Sequence, residues 1–107
     1  MSKINLSYNK KEYSLEYSRE SVKTMERGGF VLSEIDRQPA TMIPMLFQGA
    51  FIKNHRGIKR NIMDEIYDEI GDKTGLMQAL IEMYADTLGS LMDDKEAEGN
   101  VSWELVK

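Results

Sequence analysis

The run Met42-Ile-Pro-Met-Leu-Phe-Gln-Gly-Ala-Phe-Ile52 leaves this chain little choice of architecture. Wound as a helix it is apolar on nearly every side, so one face against a local core does not satisfy it. It has to be surrounded, either by the chain's own elements or by another subunit. The basic stretch Lys53-Asn-His-Arg-Gly-Ile-Lys-Arg60 follows directly. An apolar block joined to a charged loop is a pattern of assembly rather than of chemistry, and it points to a binding protein.

The remaining segments supply what can surround that block. Ile4, Leu6 and Tyr8 alternate with polar residues, as do Tyr13, Leu15 and Tyr17, and a period of two marks two strands. Asn9-Lys10-Lys11 lies between them. Asn tolerates positive φ, so a tight hairpin is expected, with an even-length loop that keeps both apolar sets on one face. An isolated hairpin is marginally stable, so this face should pack on helices. Ser18 is placed to cap a short helix running to about Arg27, with Val22 and Met25 turned inward and Gly28-Gly29 as its left-handed stop. Residues 33–37 make a single helical turn, and Pro39 forbids its continuation.

A second helix is expected from Thr41 to about Asn54, with Pro44 in its first turn and Gly49-Ala50 allowing close approach of another backbone. Ile58, Ile62, Ile66 and Ile70 recur every four residues up to Gly71 and define a third helix. Asp72 caps the longest one, which leaves a polar stripe of Gln78, Glu82, Asp86 and Gly89. The fold class is therefore α+β, mostly α: an N-terminal β-hairpin packed on a bundle of about four helices. A single domain covers residues 1–92, and a flexible acidic tail over 93–107 carries a docking segment around Trp103, the only tryptophan.

A chain of 107 residues supports one modest core and not two. It has no cysteine, which rules out disulfides and thiolate metal sites and fits a reducing compartment, with the cytosol as the expected location. The N-terminus lacks an apolar signal core, and no apolar run approaches the roughly 18 residues of a membrane span. Charge is polarised: residues 1–60 hold 11 Lys/Arg against 6 Asp/Glu, and residues 61–107 hold 3 against 12. Such halves can attract one another head to tail or face different partners. Alternatively they fold together and their charges mix over one surface.

His55 is the sole histidine and has no cysteine or second histidine to work with, so it reads as a solvated loop residue. Asp64, Glu65, Asp68 and Glu69 form two carboxylate pairs four apart, near a helix C-terminus that disfavours anions. A basic partner would relieve both effects; a hard cation fits less well, because no calcium-loop spacing is present. Lys53, Arg56, Lys59 and Arg60 invite a nucleic-acid reading. Against it stand the acidic balance of the whole chain and the lack of interleaved aromatics. Eight methionines suit core filling, and equally a surface that adapts to varied apolar partners. No catalytic, cofactor or metal residues are assigned. The residues expected to bind protein are Met42, Met45, Phe47, Phe51, Lys53, Arg56, Lys59, Arg60, Asp64, Asp68 and Trp103, with Tyr84 and Leu88 adding apolar contact.

Tyr8 through Tyr17 with Ser18-Arg-Glu-Ser-Val22, the run Thr41 to Phe51 with Asn54-His55, Glu82-Met-Tyr84, and Gly99-Asn-Val-Ser-Trp-Glu104 together resemble a family of short phage and prophage proteins of Gram-positive hosts. In size and helical character these are similar to the tail assembly chaperones of long-tailed phages. The resemblance implies a non-enzymatic chaperone that shields the tape measure protein and recruits tail tube subunits; a homo-oligomer is an expectation from the polarised charge instead. The resemblance also implies that an extended, frameshifted form would diverge in the tail after Asp93. A structural tail or head-completion protein and a nucleic-acid-binding regulator are the alternatives.

Overall fold

The computed structural model of the chain describes residues 2–92 and 101–106. It has the expected class: one antiparallel hairpin followed by four α-helices, α+β and mostly α. Strands β1 (Ile4–Tyr8) and β2 (Lys11–Leu15) pair with Ile4 opposite Leu15, Leu6 opposite Tyr13 and Tyr8 opposite Lys11. The connection is a two-residue turn, because Lys11 already belongs to β2. Asn9 and Lys10 both take positive φ, +50° and +64°, the combination that matches the twist of a tight hairpin.

Helix α1 (Arg19–Arg27) begins in a reciprocal cap: the Ser21 N–H donates to the Ser18 hydroxyl (3.0 Å) and the Ser18 N–H donates to the Ser21 hydroxyl (2.8 Å). It ends at Arg27, where the sequence placed its limit. Gly28 is still right-handed, and it is Gly29, at φ +103°, that turns the chain toward buried Phe30. A short 3-10 turn (Leu32–Glu34) leads into α2 (Pro39–Gly49).

The boundaries of α2 correct the sequence reading at both ends. Pro39 does not merely end the preceding turn; it occupies the first helical position, where a missing N–H costs nothing. Pro44 consequently lies inside the helix. The carbonyl it fails to engage belongs to Ala40, which, like Pro44, is exposed, so water can replace the lost bond. The helix ends at Gly49 instead of Asn54, and the chain continues through short turns, with N–H groups of Phe51 and Ile52 donating to Gln48 and Gly49 carbonyls. Helices α3 (Arg60–Asp68) and α4 (Lys73–Gly89) follow, the latter capped by Asp72, whose carboxylate accepts the Gly75 N–H at 3.0 Å.

Helix α2 sits at the centre and packs on α1, α3, α4 and the 3-10 turn. Its need to be surrounded is thus met within one chain. Two series of edge-to-face aromatic contacts tie the elements together. One runs from the hairpin through Tyr13, Phe51 and Phe47 to Tyr67 of α3, with centroids 5.8, 5.1 and 5.3 Å apart. The other joins Tyr17, Tyr84 of α4 and Phe30 at 5.4 and 5.0 Å. Each such pair adds about 0.5–1.5 kcal/mol beyond the area it buries. Among the described residues no helix is long and apolar enough to cross a membrane.

Candidate protein-docking cleft

The Lys53–Arg60 loop was expected at a partner surface, and its first half is engaged inside the molecule instead. In a hairpin with this register, alternate residues of each strand point their N–H and C=O groups away from the partner strand. On the outer side of β2 those groups meet the turns after α2. The Ser14 N–H donates to Nε2 of His55 (3.0 Å), Asn54 donates to the Ser14 carbonyl (3.1 Å), and the Glu16 N–H donates to the Ala50 carbonyl (3.0 Å). Lys53 and Asn54 also donate to the two Glu16 carboxylate oxygens, at 2.6 and 3.2 Å, and hold that carboxyl below its ordinary pKa. His55 is therefore not a solvated loop residue. It closes a strand edge as a hydrogen-bond acceptor and stacks edge-on against Tyr13 at 5.1 Å.

Tyr17 reinforces the junction. Its hydroxyl donates to the Leu46 carbonyl at 2.6 Å, an acceptor left over near the end of α2 because the Ala50 N–H turns to Phe47. Burial, assisted by neighbouring Tyr84, pushes the Tyr17 phenol far above its ordinary pKa. Tyr84 is also raised, by burial first and by the Glu26 charge second.

Met42, Phe47 and Phe51 were expected to contact partners, and the structure places all three in the core. Phe47 and Phe51 are each 1 % exposed, because α2 is enclosed by the other helices and Phe51, just beyond it, packs on Tyr13 of the hairpin. Tyr84 is buried too, and Leu88 partly so. Arg56, Lys59 and Arg60 remain on the surface. Trp103 is 85 % exposed, and the whole segment 101–106 stands in solvent. The acidic stretch of the tail at 93–100, including the proposed point of divergence, lies outside the described residues.

What the structure does bring together is a cleft between α2 and α3. At one end a depression of about 370 Å³ has Pro44 and Tyr67, over buried Phe47, as its apolar wall and Asp64 and Asp68 as its rim. At the other a shallow depression of about 360 Å³ is lined by methionines, Met25, Met45 and Met63, with Arg60 at its edge. Gln48 borders both, and its side-chain amide donates to Asp64 across the divide at 3.3 Å. Four expected residues, Met45, Arg60, Asp64 and Asp68, therefore converge on one surface. Met63, Tyr67 and Gln48 were missed as contributors. Met63 and Tyr67 lie beside Asp64 on the wheel of α3, but which neighbour that helix would face, and hence the part played by Gln48 of α2, was not readable from one helix alone.

Chemically the cleft suits an amphipathic guest. Carboxylates above an aromatic wall accept a long basic side chain, stem against ring and cation against oxygen. Half-buried Met45, lying over Met25 and Met63 of the core in the neighbouring depression, adapts to apolar side chains of different shape. Among the described residues no group of three or more His, Asp or Glu side chains is placed to hold a metal ion. A family model described as a domain of unknown function, DUF5055, matches residues 1–106. Neither the curated proteins nor the solved structures contain a match.

Proposed function

The chain belongs to the DUF5055 family, and for it we propose a non-enzymatic role as a phage tail assembly chaperone that binds the tape measure protein and tail tube subunits in the host cytoplasm. What supports the reading is the α2–α3 cleft, where a methionine-lined patch and an acid-rimmed aromatic depression meet along one side of α3. A helix carrying apolar residues on one face and Lys or Arg at its border fits such a surface. The resemblance of the sequence to short phage and prophage proteins supplies the identity of that helix as part of a tape measure protein.

The test is co-expression with the tape measure protein of the same genome. The soluble fraction of that protein should rise, and the double charge reversal Asp64→Lys with Asp68→Lys should abolish the rise while leaving the chaperone folded, since both carboxylates are on the surface. An unchanged soluble fraction with the unaltered chain would sink the reading. Mass spectrometry of purified particles separates the structural-protein alternative, because a chaperone is absent from finished virions and a tail or head subunit is present.

A further inference from the structure

The two edges of the hairpin are treated differently. On β2 the outward groups of Ser14 and Glu16 are engaged by His55, Asn54 and Ala50. On β1 the matching outward groups belong to Asn5 and Ser7, which are exposed and have no hydrogen-bond partner among the described residues. The inner face of the same strand, Ile4, Leu6 and Tyr8, is only partly buried. This is an edge with free donors and acceptors and with apolar side chains still able to gain contact.

Elsewhere in the chain a segment has the complementary character. Val101, Trp103 and Leu105 are 86, 85 and 74 % exposed, and they alternate with Ser102 and Glu104. Period two, β-forming side chains and a length matching the five residues of β1 are the requirements for a strand. Laid beside β1, the segment would extend the inner face with Val101, Trp103 and Leu105. Glu104 would fall on the outer face that carries Lys3.

We propose that residues 101–106 of one copy add as a third strand to the free β1 edge of a second copy. Within one chain the segment stands in solvent, so the occupant of the edge comes from a neighbour. Each copy offers both a segment and an edge, so association either closes as a reciprocal two-fold exchange or continues into rings or open chains. The inference does not depend on the chaperone reading, which uses a different surface.

Trp103, the only tryptophan, reports directly on the event. Fluorescence of the full chain, measured over a wide concentration range alongside light scattering, should show emission moving from that of a water-exposed indole toward the blue as mass rises. Two variants test the two halves of the contact. Ser7→Pro removes an outward N–H without touching the β1–β2 ladder, and Leu105→Asp alters an exposed side chain. Each should weaken association about tenfold or more, with circular dichroism unchanged. Emission and mass that never change with concentration would overturn the proposal. So would emission that is blue at every dilution, which places the segment on its own chain. Association that survives Ser7→Pro puts the segment elsewhere, such as the groove between α1 and α4 beside Leu91, and association that survives Leu105→Asp puts another surface in charge; either result overturns it too.

Discussion

Lys10 holds φ +64° beside Asn9 at +50°, a left-handed pair that Asn accepts readily and a long side chain does not. Lys10→Gly should therefore raise the stability of the chain by about 0.5–1 kcal/mol, read as a higher denaturant midpoint at unchanged slope. Tyr17 carries the opposite expectation. Tyr17→Phe strips the Leu46 carbonyl of its donor in a buried place and should cost about 1–3 kcal/mol at neutral pH. The pH dependence has a definite sign. The folded phenol keeps its proton well above the unfolded value of about 10, so the unfolded chain releases protons first as the solution becomes alkaline. That contribution is complete below about pH 10 and declines above it. In Tyr17→Phe the alkaline decline should be shallower, with a residue remaining from Tyr84, which is raised in the same direction.

Helix α2 shows how close packing can outweigh propensity. A methyl group on Gly49 would collide with the Sδ of buried Met25, so Gly49→Ala should lose about 1–3 kcal/mol to overpacking, against a helix-propensity gain of at most about 1 kcal/mol. Combined with Met25→Ala, which vacates that space, the loss should be smaller than the sum of the two single losses in a double-mutant cycle. The same helix marks where sequence legibility ends. The hairpin, the Ser18 and Asp72 caps and the four helices all followed from periodicity and local hydrogen bonding, which act within a few residues. The limits of α2 did not, because Pro39 is compatible both with stopping one element and with starting the next. Nor could His55 be placed: its partner, the Ser14 N–H, is 41 residues away and announces itself in no local pattern. For the cleft, composition made Asp64, Asp68, Met45 and Arg60 visible, but burial of Met42, Phe47 and Phe51 depended on how many neighbours α2 would find.

For the molecule as a whole, the polarised halves turn out to form one body, with the acidic-half helices α3 and α4 packed on α2 and α4 on α1 of the basic half. Residues 101–106 make no comparable contribution, since their side chains are exposed. Removal of 101–107 should leave the unfolding free energy of dilute protein within about 0.5 kcal/mol of the full chain, measured by denaturant titration; a larger loss would mean the segment packs on its own body. The closure of β2 by residues 50–55 bears also on how the chain is made. The groups that cover the outer edge of β2 are synthesised about 40 residues after the strand itself, a delay of roughly 2–8 s at ordinary elongation rates. Through that interval the nascent strand is a template for any passing peptide, and Lys10, Lys11 and Glu12 at its turn act as a charged guard until His55 arrives.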